Sequence, residues 1–529
     1  MTKPALALLI ALILGSCTSV KQYNQQLAEK KNPKDLQEDV DYLYRKLQAY
    51  HPQLYWYISK KELDYKFDSL KSSITEPMTS GEFYYKVAPV VSSIREGHTR
   101  MLPLNKEYKS REKDSLRVKE FGYTPFSKLK FGIFDNRLYV VKNNSWNKTI
   151  KEGSEVVSVN GISAQHLLTK YRTTLTADGY VTTFTDRLLG NRFPTFFYND
   201  FDFADSLACE LRHNDTLRNV LLRRAAPKDT AKGNANVKKV KVTLTAAQRD
   251  SARSERKRRL LLGYNSDEKT YSKNLSFYKS DSSIAIMKLN DFTGGQYEKF
   301  YKSAFKKLDS LKVKTLVIDL RNNTGGSLFD VRCLYSYLAD TSFCFIKKME
   351  VTTPKSILFT TYFKDVPLVL DPFILPFYPV YFTYALSHMS KGDDGKYYFR
   401  LGKKVEKPRE TRFRGKVYML INGASFSASC IISSNLKGAK RAYFVGEETG
   451  GAFNGNVAGR MHLFELPNSK LNARIGLLCM RPEYQTEQEG RGIIPDVAIT
   501  PTLDDVLKGN DPELNWVIDR VKQERGMAR

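Results

Sequence analysis

Hydrophobic positions recur at two different spacings along this chain of 529 residues, and the change in spacing separates its parts. From Pro33 to Ile94 they fall three and four residues apart, as on the buried face of a helix. From about residue 120 to 225, short alternating apolar runs predict strands. From Ser283 onward, apolar strands alternate with helical runs, which is typical of strand–helix–strand units in a largely parallel sheet. The pattern therefore predicts a multidomain α/β protein.

The same patterns divide the chain into segments. We predict a helical module over residues 35–110, a β-rich module over 120–225, a basic insertion over 226–275, an α/β core over 276–505 with an aromatic insertion at 356–400, and a C-terminal helix over 506–529. The basic insertion sets Lys and Arg among small polar residues, which indicates an exposed and partly disordered segment. The aromatic insertion is rich in Phe, Tyr and Pro, and we expect it to cover the core and line a substrate cleft.

The N-terminus has the pattern of an export signal. Lys3 precedes an apolar run, Ala5 to Leu14, which is too short to span a bilayer but suits a signal-peptide core. The run ends in Leu-Gly-Ser before Cys17, which resembles the bacterial lipobox. This resemblance implies a lipoprotein signal peptide over 1–17, lipidation of Cys17, a linker over 18–34, and anchoring to a membrane of the bacterial cell envelope, on its periplasmic side or at the cell surface. An ordinary secretory signal, in which Cys17 is incidental, is the alternative.

Charge and cysteine content limit the classes of function. The formal net charge is +27, but the basic residues are spread along the chain and no nucleic-acid recognition motif accompanies them. We therefore expect no specific nucleic-acid partner. Five cysteines follow Cys17 without paired spacing, and we expect buried thiols: Cys209, Cys333, Cys344, Cys430 and Cys479. Because no Cys, His and Asp cluster has metal-ligand spacing, we predict neither a metal nor another cofactor.

A cluster of small hydroxyl residues gives the first candidate for chemistry. The apolar run Val417 to Ile421 predicts a buried strand, and a helix is predicted to follow the Asn-Gly turn. Ser425, Ser427 and Ser429 lie where that helix begins, so backbone N–H groups could stabilise negative charge beside a serine nucleophile. Helix capping and small-residue packing explain the same serines equally well.

Three further segments carry candidate chemistry. A predicted strand, Val317 to Leu320, leads into a turn that contains Gly325 and Gly326, whose backbone N–H groups can approach a ligand closely. Gly and Pro also punctuate a turn from Gly490 to Asp496. One of the six histidines, His98, lies in a polar loop after the helical module.

The β-rich module has a local resemblance of its own. Gly153 to Gly161 predicts a strand that ends in an Asn-Gly turn, and an apolar helix start follows at Ala164. This element is similar to one in PDZ domains, which bind an extended peptide by strand addition. A generic hairpin is the alternative.

Together these segments resemble the tail-specific, or C-terminal processing, serine peptidases. The motifs of that family occur here in its order: Asp319 to Gly326, Ser427 to Cys430, Gly446 to Gly451, and Gly492 to Asp496. The resemblance covers most of the chain after residue 34. It implies a core similar to those of ClpP and crotonase, a serine nucleophile at Ser427, and protein or peptide substrates.

One departure from the family pattern indicates a branch. The best-known members use a Ser-Lys dyad, but Ala452 occupies the position of that lysine here. The branch similar to the tricorn core protease relies on histidine instead. Its histidine loop matches Gly97 to Thr99, and its orienting glutamate matches Glu489. Tricorn also has a serine immediately before the histidine, where this chain has Gly97.

The resemblance implies a mechanism for a lipid-anchored serine endopeptidase. Ser427 would attack the carbonyl, His98 would take its proton, and Glu489 would fix the imidazole tautomer. Backbone N–H groups of Ala428 and of Gly325 or Gly326 would hold the oxyanion. Glu487 competes with Glu489 for its role, and His98 could instead cap a helix end. Two other classes of function stay open: a non-catalytic envelope lipoprotein that binds peptides or apolar ligands, and a membrane-associated scaffold that uses the basic insertion.

Overall fold

The structure is a computed structural model of the 529-residue chain. It describes residues 20–527 except 116–117, 119–121, 123, 202, 225–244, 267–268, 357–377 and 401–404. The predicted signal peptide with Cys17, most of the clustered lysines of the basic insertion, and the Pro-rich part of the aromatic insertion lie outside these described residues. Within the described ranges, every helix is too short or too polar to cross a bilayer.

The fold is mixed α/β. The helices in chain order are α1 Val20–Ala28, α2 Pro33–Tyr50, α3 Lys60–Ser72, α4 Ser80–Ser92, α5 Ser110–Ser115, α6 Ala164–Thr173, α7 Thr183–Asp200, α8 Ala246–Leu262, α9 Tyr297–Ser310, α10 Leu328–Ser336, α11 Tyr378–Ser387, α12 Ala428–Gly438, α13 Leu503–Lys508 and α14 Pro512–Met527, with a 3₁₀ turn at Pro125–Lys128. The strands are β1 Arg100–Leu102, β2 Leu129–Phe134, β3 Arg137–Asn143, β4 Glu155–Val159, β5 Ile162–Ser163, β6 Ser206–His213, β7 Thr216–Arg223, β8 Tyr264–Asn265, β9 Thr270–Tyr271, β10 Lys273–Tyr278, β11 Asp281–Leu289, β12 Thr315–Asp319, β13 Phe343–Cys344, β14 Ile346–Val351, β15 Met389–Lys391, β16 Tyr397–Phe399, β17 Val405–Glu406, β18 Lys416–Ile421, β19 Tyr443–Gly446, β20 Asn456–Glu465, β21 Asn472–Pro482 and β22 Val497–Ala498.

Helices α2, α3 and α4 form the N-terminal part of the fold, as the apolar spacing predicts. Leu36, Leu43 and Leu47 are buried on one face of α2. At the start of α4 the predicted capping residues pair reciprocally: the Glu82 N–H donates to the Thr79 hydroxyl at 3.2 Å, and the Thr79 N–H donates to the Glu82 carboxylate at 2.7 Å. The predicted polar linker is partly helical, because α1 lies within it. Helix α4 ends four residues before the loop that carries His98.

The β-rich module is a sheet in the order β2-β3-β4-β6-β7, with β5 paired to β4. Its predicted Asn-Gly turn is present between β4 and β5, where Asn160 and Gly161 both have positive φ. Two positive φ values in a two-residue loop match the twist of a β-hairpin. Helices α6 and α7 pack against this sheet through a shared apolar cluster, and α7 extends from the module towards the candidate site.

The core sheet has the order β10-β11-β12-β18-β19-β22 and is parallel from β11 to β22. Only β10 is antiparallel to its neighbour. The predicted strands, the helix between them and the parallel pairing are therefore confirmed. In a parallel sheet the carboxyl ends of neighbouring strands meet at one edge. Here β12 pairs with β18 in register from Thr315 to Asp319, so the turns that follow these two strands lie side by side.

A second sheet, in the order β1-β21-β14-β16-β15 with β20 on β21, was not predicted. Its long hairpin β20–β21 packs against the N-terminal helices through Phe464, Leu471 and Ile475. Strand β1 begins two residues after His98 and pairs with β21. The second sheet therefore holds the histidine loop against the core.

The two insertions differ from expectation in their described parts. Helix α8 occupies residues 246–262 of the basic insertion and ends at Gly263 in the left-handed conformation. In the aromatic insertion, β15 and β16 form an antiparallel pair that extends the second sheet. None of its described residues lines the cleft that contains Ser427. This part of the insertion therefore covers the core, through Ala385 and Phe399, as expected, but it does not line the cleft that contains Ser427.

An ion-pair network fixes the turn that follows β12. The Arg321 guanidinium donates to both Asp319 oxygens at 2.9 Å and to both Asp511 oxygens at 2.7 and 2.8 Å. Glu513 lies 3.1 Å from the same guanidinium. Because Asp511 immediately precedes α14, this network joins the turn beside the site to the C-terminal helix.

Replacement of Arg321 should destabilise the fold strongly. We expect Arg321→Met to lower the free energy of unfolding by about 3–5 kcal/mol, because it leaves buried carboxylates without their partner. The control is Arg520→Met, which removes a half-exposed arginine beside Glu524 on α14 and should cost no more than about 0.5 kcal/mol. Urea unfolding followed by tryptophan fluorescence measures both, and equal losses would contradict the role of the network.

Candidate active site

Ser427 lies in the turn between β18 and α12, immediately before the helix begins. Its backbone has φ 58° and ψ −119°. Residues other than glycine rarely adopt this conformation, which costs about 1–3 kcal/mol. A sharp strand–turn–helix of this kind presents a hydroxyl next to the first N–H groups of a helix. The Ser427 side chain lines a cavity of about 730 Å³.

Two neighbouring turns hold this conformation. The Asn322 N–H donates to Asn422 Oδ1 at 2.9 Å, and Asn422 Nδ2 donates to Asn322 Oδ1 at 3.1 Å. Gly325, at φ 97°, lies so close to the serine that a Cβ there would be 2.8 Å from the Ser427 Cβ and from the Ala428 nitrogen. The turn after β12 therefore needs glycine at position 325, where it packs directly against the turn that carries Ser427.

The structure brings His98 to Ser427. The His98 Nε2 atom lies 2.9 Å from Ser427 Oγ, within hydrogen-bond distance. The imidazole stacks on the Phe426 ring with centroids 4.8 Å apart, and Phe184 stacks on the other side of Phe426 at 4.5 Å. A Cβ on Gly97 would be 2.5 Å from the same Phe426 ring. A side chain at position 97 would therefore have to displace the Phe426 ring, and glycine avoids this clash.

The carboxylate at His98 belongs to Glu96, two residues earlier. Glu96 Oε1 lies 3.1 Å from His98 Nδ1 and accepts the Val457 N–H at 3.1 Å. Its other oxygen accepts the His98 N–H at 3.2 Å and the Thr99 hydroxyl at 3.0 Å. Burial alone would raise the pKa of Glu96, but the hydrogen bond and charge of His98, aided by the other donors, lower it below its ordinary value. Glu96 is therefore a buried carboxylate positioned to orient the imidazole.

The structure does not bring Glu489 to His98, so the expectation for this residue is corrected. Glu489 is exposed, and its carboxylate accepts the indole N–H of Trp56 at 3.1 Å. Its rival Glu487 is exposed as well. The turn after Glu489 does reach the rear of the site, through its backbone: the Gly490 carbonyl accepts the Tyr180 N–H at 2.8 Å. The turn at Gly490 therefore stabilises the neighbouring loop that contains Tyr180, and it does not orient the imidazole.

That loop carries Asp178, a second buried carboxyl group that the sequence did not indicate. Its oxygens accept the N–H of Gly97 at 2.8 Å and the N–H of Ala452 at 3.2 Å. Burial, and then the charge of Glu96, raise the pKa of Asp178 well above its ordinary value. Of the two buried carboxyl groups, Asp178 is therefore the one that holds a proton more tightly. Ala452, where a lysine base would stand, is fully buried against it.

His51 is a further buried neighbour of Glu96 that no sequence motif indicated. Its Nε2 atom lies 4.0 Å from Glu96, and burial lowers its pKa to about 4 although the charge of Glu96 opposes the shift. The Gln53 N–H donates to His51 Nδ1 at 3.2 Å. The second histidine is therefore neutral near pH 7 and directs its Nε2–H towards the carboxylate.

The predicted oxyanion donors divide into two groups. Gly326 and Ala428 line the cleft beside Ser427, and their N–H groups have no acceptor among the described residues. The Gly325 N–H donates instead to Asn323 Oδ1 at 2.9 Å. The geometry thus leaves Gly326 and Ala428 as available donors, whereas Gly325 serves the close approach of the two turns.

The neighbouring serines have structural partners. The Ser425 hydroxyl donates to the Leu320 carbonyl at 2.7 Å, and the Ser429 hydroxyl donates to the Asn323 carbonyl at 3.0 Å. Both side chains are fully buried. The packing role considered for all three serines therefore applies to these two, and Ser427 differs from them by facing the cleft.

Glu96, His98 and Asp178 are the described residues whose ligand atoms come close enough to hold a metal ion, within 4.8 Å of one another. Their atoms already have protein partners: the Glu96 oxygens accept N–H and O–H groups, and the Asp178 oxygens accept two backbone N–H groups. A cation would have to displace these donors. The donor set therefore fits a hydrogen-bonded network better than a metal centre.

Four of the predicted thiols are buried and make no disulfide within the described part of the chain: Cys209, Cys333, Cys430 and Cys479. Cys344 is partly buried and contacts the Ile346 carbonyl at 3.3 Å.

Comparisons with known proteins place these observations in a family context. Residues 283–499 match the family model described as peptidase family S41. The crystal structure of mature CPAF is 16% identical over 90% of this chain and 94% of that chain, with a TM-score of 0.58. Mature CPAF complexed with lactacystin is 15% identical over 93% of this chain and 98% of that one, also with a TM-score of 0.58. At this identity the likeness to solved structures shows a shared fold. A comparison with curated proteins gave no match.

The carboxyl pair predicts a pH dependence of stability. Because the folded protein raises the pKa of Asp178, the folded state keeps a proton that the unfolded chain releases above about pH 3.9. The stability linked to this proton is complete below that pH and is lost as the pH rises towards the raised pKa. Asparagine does not titrate, so the free energy of unfolding of the wild type, relative to Asp178→Asn, should fall as the pH rises from about 4 towards the raised pKa of Asp178.

Urea unfolding of both proteins across this range measures the difference. Asp215→Asn, in an exposed turn, controls for the loss of a surface carboxylate. If the free energy of unfolding of the wild type, relative to that of Asp178→Asn, stays constant or rises with pH, the raised pKa of Asp178 is contradicted.

Proposed function

We propose that the protein is a serine peptidase of family S41, whose family model matches residues 283–499, and that it cleaves peptide bonds with Ser427, His98 and Glu96. The observation that carries the assignment of residues is the continuous contact from Ser427 Oγ to His98 Nε2 at 2.9 Å and from His98 Nδ1 to Glu96 at 3.1 Å. A hydroxyl, an imidazole and a buried carboxylate in this order form the arrangement that activates a serine.

The proposed mechanism follows from the atoms in contact. Ser427 Oγ attacks the carbonyl carbon of the substrate while His98 Nε2 takes the hydroxyl proton. Glu96 accepts the Nδ1–H, so it fixes the tautomer and stabilises the imidazolium that forms. The N–H groups of Ala428 and Gly326 stabilise the developing oxyanion. His98 then gives its proton to the leaving amine, and a water molecule activated in the same way releases the acyl group.

The surroundings of His98 support its role as the base. Stacking on Phe426 limits rotation of the ring, and the Arg474 side chain donates to the His98 carbonyl at 3.0 Å. Because the position of the family lysine holds the buried Ala452, that position offers no competing base. A loop histidine that merely caps a helix would need neither a serine contact nor a buried carboxylate.

We also propose that the protein is an exported lipoprotein, with protein or peptide substrates in the cell envelope. The support is the apolar run Ala5 to Leu14 followed by Cys17 in a lipobox-like context. Two or three acyl chains on Cys17 would suffice for stable membrane anchoring. Substrate would then reach the cleft on the exported side of the membrane.

Substitutions of the site residues should affect hydrolysis unequally. We expect Ser427→Ala and His98→Ala to lower kcat on a casein-derived peptide mixture by at least roughly 10³-fold. Glu96→Gln keeps the shape but loses the charge and tautomer control, which should cost about 10²- to 10⁴-fold. Glu489→Gln is the matched control, and it should stay within about threefold of wild type because Glu489 is exposed and away from His98.

Labelling with a fluorophosphonate probe provides a second measurement. The probe should modify Ser427 in the wild type and in Glu489→Gln, and peptide mapping identifies the residue. Equal hydrolysis by wild type and Ser427→Ala would sink the assignment. An unlabelled and inactive wild type would support the alternative of a non-catalytic binding protein.

Lipid anchoring is tested separately from catalysis. In a bacterial host that processes lipoproteins, the wild type should incorporate radiolabelled palmitate and partition into the detergent phase of Triton X-114. Cys17→Ser should lose both properties while its purified catalytic activity stays unchanged. Unlabelled wild-type protein would indicate an ordinary secretory signal.

A further inference from the structure

Three arginines line the cleft that contains Ser427: Arg100, Arg192 and Arg474. Arg100 lies two residues after His98 on β1, and its Cα partner across the strand pair is Arg474 on β21. Arg192 comes from α7, where the helix is kinked at Arg192 itself with φ −122° and ψ 19°. Pro194 accounts for the kink, because its ring cannot follow a regular helix. Three separate elements therefore direct guanidinium groups to one cleft.

These positive charges are poorly compensated by the protein. Arg100 is partly buried and Arg192 is exposed, and neither makes an ion pair with any residue in the described ranges. The Nε atom of Arg100 is buried and has no hydrogen-bond partner there. The Arg474 Nε donates to the neutral carbonyl of His98. The charge of Glu96 acts on Arg474, but the Glu96 carboxylate already has His98, Thr99 and Val457 as hydrogen-bond partners.

The pKa values show the same imbalance. Burial, followed by the charges of Arg474 and Arg192, lowers the pKa of Arg100 to about 10. Burial also lowers the pKa of Arg474, although the charge of Glu96 opposes this shift. An arginine partner that carried a negative charge would have the opposite effect.

Such an arrangement costs stability in the empty protein. Like charges directly opposite each other in an antiparallel strand pair are destabilising, and the buried Nε–H of Arg100, which has no hydrogen-bond partner among the described residues, carries a further desolvation cost. A bound carboxylate would remove both costs, because its two oxygens match the planar donor fork of arginine. Phe184, Leu188 and Met461, which also line the cleft, would enclose the chain that carries the carboxylate.

We propose that Arg100, Arg192 and Arg474 form a carboxylate-binding subsite that selects substrates with a negative charge close to the scissile bond. The proposal rests on the proposed function, since the bound peptide is the one that Ser427 would attack. The carboxylate comes either from an Asp or Glu side chain or from the C-terminus of the substrate. Arg474 also positions the His98 loop, so Arg100 and Arg192 are the residues whose replacement isolates binding.

The test measures binding without catalysis. The Ser427→Ala protein is immobilised and exposed to matched pools of random decapeptides, one with Asp and Glu and one with Asn and Gln in their place. Each pool is made with a free and with an amidated C-terminus, and retained peptides are quantified by mass spectrometry in physiological salt. We expect at least tenfold greater retention of carboxylate-bearing peptides, on the order of a charge-assisted hydrogen bond. Adding Arg100→Gln or Arg192→Gln should reduce this preference to about twofold or less.

A matched arginine separates local recognition from the general attraction of a basic protein. Arg218→Gln removes the same charge from an exposed strand of the β-rich module and should retain the full preference. Preference for acidic side chains over Asn and Gln assigns the carboxylate to Asp or Glu, whereas preference for free over amidated ends assigns it to the C-terminus. Equal retention of all pools would overturn the proposal, as would an equal loss of preference in Arg218→Gln and the cleft variants.

A hydrolysis assay distinguishes failure of the carboxylate-binding subsite from failure of the proposed catalysis. Retained peptides are incubated with the wild type, and kcat/KM is compared for acid and amide forms. Selective binding without hydrolysis or fluorophosphonate labelling would leave the subsite intact and contradict the proposed catalysis. Hydrolysis and labelling without carboxylate selectivity would support the catalytic residues and contradict the subsite.

Discussion

The buried negative charge of Glu96 is the constraint on which the candidate site depends. A carboxylate removed from water is tolerated only when hydrogen-bond donors replace its solvent. Here the donors come from its own loop, through His98 and Thr99, and from β20, through the Val457 N–H. Satisfying this one group therefore fixes the histidine loop against the second sheet. The same requirement aims Nδ1 of His98 inwards and leaves Nε2 facing Ser427.

The serine side of the site is fixed by a different kind of constraint, namely backbone geometry. The turns after β12 and β18 are brought together because their strands pair in parallel, and the Asn322 and Asn422 side chains join them. Gly325 lets the turns approach closely enough to hold Ser427 at positive φ. The site thus forms only where the edge of the core sheet meets the loop held by the second sheet, and neither part alone contains both reacting groups.

Sequence patterns predicted the parts of this arrangement that depend on local physics. Apolar periodicity gave the core strands and helices, and the small residues around Ser427 indicated a turn before a helix. The carboxylate partner of His98 was predicted wrongly. Glu489 matched a family motif, whereas Glu96, two residues before the histidine, belongs to no motif that indicates its role. Asp178 was missed for a longer-range reason. Its position depends on the docking of Gly179 against Gly490, a contact between segments that no local pattern relates. The β20–β21 hairpin, which supplies Val457 and Arg474, was likewise not predicted, because none of the sequence motifs lies in it.

The two buried acids and the cleft arginines together explain how the site balances its charge. If both Glu96 and Asp178 were ionised, two desolvated negative charges would adjoin His98, and the raised pKa of Asp178 disfavours this doubly charged state. The negative charge of Glu96 interacts with the His98 imidazole and partly offsets the positive charge of Arg474. It is too little to neutralise Arg100 and Arg192 as well. The cleft is therefore left with excess positive charge beside a balanced hydrogen-bonded centre, and a substrate carboxylate is the group that would complete it.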